Sequence, residues 1–145
     1  MTGPEVILII EDNPRNLKLA RDILSHVRRV APYLQEKLQA LSAHPLVGEA
    51  RGVGLIGAVH LVADKASRAP LPAAAGIGPL IQQSAMDRGL LIRAAPDAVY
   101  VCPPLIMTRA EIDELIVALS AALDDGYAEA ARRGLIGGAV KQAAV

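Results

Sequence analysis

Arg93 is the residue whose type and setting best suit it to hold a small anion. It lies between Ile92 and Ala94 in the run Leu90 to Ala95, which has the look of a strand. A guanidinium there is costly to bury unless it meets a carboxylate, and its rigid fork takes one bidentately. Two readings follow: Arg93 holds the carboxylate of a ligand, or it is an edge-strand arginine paired with nearby Asp97.

The other reactive side chains are more scattered. Glu11 and Asp12 are adjacent acids that suit a hard cation such as magnesium, and they equally suit the positive end of a helix opening at Asn13-Pro14. Arg51 falls between two apolar runs, where it either pairs with Glu49 or supports a facing domain. His60 lies mid-strand and reads as a satisfied core or edge side chain. His26 and His44 have no partner at motif spacing. Cys102 precedes two prolines and is expected to be buried packing; as the only cysteine it excludes an internal disulfide.

These residues need elements to position them. Leu90 to Ala95 and Ala98 to Cys102 are separated by Pro96-Asp97 alone, which is hairpin spacing. Pro103 and Pro104 stop the second strand. Thr108 and Glu111 form a capping box, and Ile112, Leu115, Ile116, Leu119 and Leu123 then mark one apolar face of a helix starting at about Arg109. Upstream, Val6 to Ile10 predicts a buried strand of the parallel type, followed by a helix with Leu17, Ala20, Leu24 and Val27 on one face. Pro32 interrupts that pattern, so a second helix or a kinked continuation runs to about Ala43. Val47 to Val53 and Leu55 to Val62 predict two further strands. Asp64 to Ala75 reads as a surface loop, and a helix from about Ile77 ends at a left-handed Gly89.

Composition narrows the function classes. The chain has 145 residues, 15 Lys plus Arg against 15 Asp plus Glu, and a formal charge of zero, which argues against a nucleic-acid or polyanion binder. With three Tyr and no Phe or Trp, the core must be built from Ala, Val, Leu and Ile. A neutral chain that is 52% hydrophobic is expected to self-associate. No apolar run reaches membrane-spanning length and the first residues lack the basic start of a signal peptide, so a cytoplasmic protein with no membrane partner is expected.

The order Gly-Leu-Leu-Ile-Arg, hairpin, Cys-Pro-Pro-Leu-Ile-Met-Thr, Glu-Ile-Asp-Glu-Leu resembles the C-terminal small domain of class III, pyridoxal-phosphate-dependent aminotransferases, particularly the ω-amino-acid:pyruvate group. His44 to Lys65 resembles the same domain in the correct order, and the likeness covers about residues 30–127. It implies that Arg93 recognises a substrate carboxylate, and that the parent reaction moves an amino group from an ω-amino acid or amine to pyruvate. The cofactor needs a Schiff-base lysine and an acid on its pyridine nitrogen. In the family both lie in a large domain upstream, and Lys18, Lys37, Lys65 and Lys141 are not in the family's lysine context. The resemblance therefore implies that this chain alone does not bind pyridoxal phosphate and is inactive without a large-domain partner.

Residues 5–24, by contrast, resemble the opening of a response-regulator receiver domain, whose first strand ends in a magnesium-holding acidic pair. The expected organisation is a receiver-like β-α fragment over 1–28, the aminotransferase-like domain over 29–127, and a helical or frayed tail over 128–145. The expected fold is α+β: a small antiparallel sheet of about four strands with helices on one face, plus an N-terminal β-α unit. A receiver-like signalling module and a vestigial fusion with a purely structural role stand as alternatives.

Overall fold

The computed structural model describes residues 8–136. It opens with a helix, α1 (Pro14–Ala40), which Asn13 caps by accepting the Arg15 N–H, with Pro14 in the first turn. Two strands follow, β1 (Val47–Val53) and β2 (Ile56–Asp64), joined by a tight turn at Gly54, whose φ is +60°. After the short strand β3 (Ala69–Pro70) come helix α2 (Ile77–Asp87), strands β4 (Arg93–Ala95) and β5 (Ala98–Val101), and helix α3 (Arg109–Arg132). All strand pairs are antiparallel, in the order β1-β2-β5-β4, with β3 paired to β2. The fold is α+β, with a five-stranded antiparallel sheet and three α-helices among the described residues.

The core lies between one face of the sheet and the helices. Ala50, Val59, Leu61, Val99 and Val101 meet Leu34 and Leu38 of α1, Ile81 of α2, and Ile112, Leu119 and Leu123 of α3. Gly57 lets α1 approach closely, because a Cβ there would collide with Leu38. Gln35 and Gln39 of α1 add hydrogen bonds to the carbonyls of Gly54, Ile56 and Ala50, so the helix clasps the β1–β2 hairpin.

Two expectations need correction, and one open between two readings is decided. Leu8 to Ile10 are not a strand: Leu8 and Ile10 are 80% and 88% exposed, with no strand beside them among the described residues, and the rest of Val6 to Ile10 lies outside those residues. Of the two readings at Pro32, a second helix or a continuation, the chain takes the continuation. α1 runs through it unbroken, because the proline ring sits on the exposed side while Ala31 and Leu34 anchor the chain in the core on either side of it. The Asp64 to Ala75 stretch is not wholly loop, since Ala69–Pro70 adds a fifth strand beside β2.

The C-terminal half follows its local signals. The Pro96-Asp97 turn joins β4 to β5, Gly89 ends α2 at φ +78°, and Thr108 and Glu111 make the full reciprocal capping box of α3. That helix continues to Arg132, past the last apolar position of its expected face. No helix among the described residues is long and apolar enough to cross a membrane.

Candidate functional site

Strand alternation turns every second residue of the sheet away from the helices. On that outer face Arg51, Ala58, Tyr100 and Arg93 stand directly opposite one another across β1, β2, β5 and β4. Three strand spacings place the Cα atoms of the two arginines roughly 14 Å apart. Glu49 and His60 pair in the next row.

Arg93 is exposed at the β4 end of this row. Its strand is fixed from behind by α2: Gln82 Oε1 accepts the Ala94 N–H at 2.9 Å, and Gly78 allows the helix start to lie against the Ala95 carbonyl. Arg93, Ala94, Ala95, Pro96 and Tyr100 line an open hollow of about 660 Å³. A guanidinium beside a phenol ring at the mouth of a hollow is suited to a carboxylate carried on a small organic group. The Asp97 alternative is not realised, because among the described residues Arg93 makes no ion pair; the Asp97 carbonyl instead accepts the Leu61 N–H.

The remaining residues are dispersed. Arg51 does not pair with Glu49: its Nη2 donates to His60 Nε2 at 3.0 Å. Glu11 accepts the Asn13 N–H at 3.0 Å, beside the start of α1. Among the described residues no three His, Cys, Asp or Glu side chains are grouped to hold a metal. Cys102 is exposed, which corrects the expectation of burial: it lies just beyond the end of β5, where the sheet no longer covers it. His26 donates to the Met107 carbonyl at 2.8 Å, and His44 accepts the Leu46 N–H on Nδ1 while donating to Asp124 from Nε2.

Two polar clusters hold the helices that back the site. Ser84 donates to Asp125 at 2.6 Å and Arg88 reaches the same carboxylate at 2.9 Å, tying α2 to α3; the Ser84 hydroxyl, then Arg88, holds Asp125 below the usual carboxylate range. The Tyr33 hydroxyl donates to Asp113 at 2.6 Å and Lys37 lies 3.0 Å from it, tying α1 to α3 and lowering Asp113 in the same way.

The described lysines are all engaged with partners inside the chain. Lys18 pairs with Asp22 and Lys37 with Asp113, which raises both above the ordinary lysine value, where a Schiff-base amine needs the opposite. Lys65 donates to the Ser42 and His44 carbonyls, and Lys141 lies outside the described residues.

Tyr100 and Gln82 were not among the residues singled out by type. A two-residue turn sets the register of a hairpin, so Pro96-Asp97 already implies that position 100 stands opposite Arg93. Gln82 carried no such signal, because its partner is a backbone N–H on another element.

Comparison with known proteins bears on the whole arrangement. The sequence model of the family Aminotransferase class-III matches residues 5–123, a span that includes the receiver-like stretch. The probable γ-aminobutyrate transaminase 3, mitochondrial, of Oryza sativa subsp. indica is 45% identical over 96 residues, which is 66% of this chain and 19% of that protein. The putrescine–pyruvate aminotransferase of Pseudomonas aeruginosa is 38% identical over 121 residues, 83% of this chain and 26% of its own length. Among solved structures, the PMP-bound aminotransferase of Vibrio fluvialis superposes with a TM-score of 0.74 at 35% identity, covering 79% of this chain and 25% of that one. The (S)-enantioselective ω-transaminase of Thermomicrobium roseum gives 0.72 at 38% identity, with coverages of 77% and 25%. The chain thus spans about a fifth to a quarter of the relatives it matches. From its sequence match and its fold alike, the chain belongs to the class-III aminotransferase family.

Proposed function

We propose that this chain forms the substrate-carboxylate end of an ω-amino-acid or amine:pyruvate transaminase, and that it is inactive unless a large domain supplies the cofactor. The observation that carries this reading is Arg93, exposed without an ion pair among the described residues at a hollow walled by Tyr100. The lysines support the second half of it, since none described here is free of a hydrogen-bonding partner or close to that hollow. The relatives named above act on γ-aminobutyrate or on putrescine with pyruvate, which suits an amine donor whose far end or acceptor bears a carboxylate. When bound, pyridoxal phosphate would carry the amino group between the two substrates. Arg93 would orient the carboxylate, and the outer sheet face, with Arg51, His60 and Tyr100 along it, would be covered by the large domain.

The test has two parts. Incubating the chain alone with pyridoxal phosphate should give no stoichiometric imine absorption band; a band lost on replacing one lysine would overturn the claim of incompleteness. The chain combined with the remaining upstream part of a class-III relative should transaminate. In that assembly Arg93→Ala should raise KM for a carboxylate-bearing substrate by about tenfold or more while leaving a simple amine unaffected. Equal effects on both would remove Arg93 from carboxylate recognition.

A further inference from the structure

Arg93 opens β4 at a point where the sheet alone gives it little support. The strand is three residues long, lies at the end of the strand order and, among the described residues, pairs with β5 only. The two residues before it, Leu91 and Ile92, belong to no regular element, while on the far side Pro96 confines Ala95 to extended backbone. Ladder bonds of an antiparallel pair alternate, so on an edge strand every second N–H points away from the partner strand. Ala94 is such a residue, and its N–H donates to Gln82 Oε1 at 2.9 Å. That N–H belongs to the planar peptide unit that also contains the Arg93 carbonyl. Gln82 therefore fixes the plane directly after the Arg93 Cα, and with it the ψ of Arg93.

The other end of the bond is firmly held. Gln82 follows Gly78 by four residues on the same face of α2, and a Cβ at Gly78 would run into the Ala95 carbonyl. The helix thus meets β4 at two points one turn apart. Its opposite side is fastened to α3, where Ser84 and Arg88 both reach Asp125 and the missing side chain of Gly126 admits Ile81. Contacts run without a break from Asp125 through α2 and Gln82 to the Arg93 peptide. The fold itself does not depend on the last of them, because the Ala94 N–H is only half-buried and water could replace Gln82 there. Recognition is more demanding: a guanidinium fork takes a carboxylate bidentately in one orientation, and a small misplacement forfeits it.

We infer that Gln82 is a positioning residue for carboxylate recognition. It acts through the backbone and not on the ligand, setting the direction in which Arg93 leaves the sheet toward the hollow beside Tyr100. The inference rests on the reading of Arg93 given above, and it adds a second residue, on a different element, to what determines the preference for carboxylate-bearing substrates.

Two measurements test it, with Gln82→Met, which keeps the length but loses the acceptor, and Gln82→Glu, which keeps both. In the full chain alone, amide hydrogen exchange read by NMR should show the Ala94 N–H protected in the unmodified chain and in Gln82→Glu, and exchanging about tenfold faster or more in Gln82→Met. The Leu61 N–H, which donates to the Asp97 carbonyl, should exchange equally in all three, showing that the hairpin is intact. In the assembly with the upstream part of a class-III relative, Gln82→Met should raise KM for a carboxylate-bearing substrate by about fivefold, with kcat and the KM of a simple amine unchanged, and Gln82→Glu should restore it. A merely structural role would move both substrates together. An Ala94 N–H that exchanges freely in the unmodified chain, a KM unmoved by Gln82→Met while Arg93→Ala still discriminates, or equal effects of Gln82→Met on both substrates would each overturn the inference alone. Equal effects of Arg93→Ala on both substrates, or an unmodified assembly without activity, would instead overturn the reading of Arg93 and this inference with it.

Discussion

The two faces of the sheet obey different constraints. The inner face carries Val59, Leu61, Val99 and Val101 against three helices, and closeness there is enforced by Gly57 under Leu38. The outer face carries Glu49, Arg51, Ala58, His60, Tyr100 and Arg93, joined laterally by little more than the Arg51–His60 bond. Hydrophobic burial and packing density decide the first, so it holds the molecule together. The second costs little stability to alter, which leaves its side chains available for binding.

Substitutions can break or sharpen that contrast. Leu38→Ala should have the largest effect, about 2–5 kcal/mol in urea unfolding, because it opens a cavity at the tightest contact between α1 and the sheet. Gly57→Ala should cost about 1–3 kcal/mol by overpacking the same place, and less when combined with Leu38→Ala, since the added methyl then enters the vacated space. Thr108→Ala should cost about 1 kcal/mol by removing the α3 capping box. Arg93→Ala should move the unfolding midpoint least, within about 0.5 kcal/mol. A large loss there would mean that the outer face also supports the fold.

Acid offers a further comparison, between the packed sheet and the polar contacts of α3. The Arg132 and Arg133 guanidiniums hold Glu129 down to about 2, while the Ser84 hydroxyl and the Tyr33 hydroxyl lower Asp125 and Asp113. Each folded-state value lies below the unfolded one, so the stability these carboxylates lend is complete above the ordinary carboxylate range and is lost as pH falls through it. For Glu129 the loss extends down toward pH about 2. Glu129→Gln should flatten the acid limb of a stability-against-pH curve measured by thermal unfolding. An unchanged limb would show that the arginine contacts are too solvated to matter.

The hairpin, the capping box and the glycine-ended α2 were legible in the amino-acid order because each is a short-range device: a turn, a cap or a period that adjacent residues complete among themselves. The same holds for Arg93, whose strand position and opposite neighbour follow from a two-residue turn. What the tertiary structure alone decided depends on partners far apart in the chain. Leu8 to Ile10 are β-branched and leucine-rich but find no strand beside them among the described residues, while Pro32 is carried inside a helix by core contacts on both sides. Arg51 meets His60 instead of Glu49, and Cys102 is left exposed, because the ends and register of β2 and β5 determine what each can reach. Local order is set by interactions that close within a few residues; burial and pairing are set by whichever distant surface arrives.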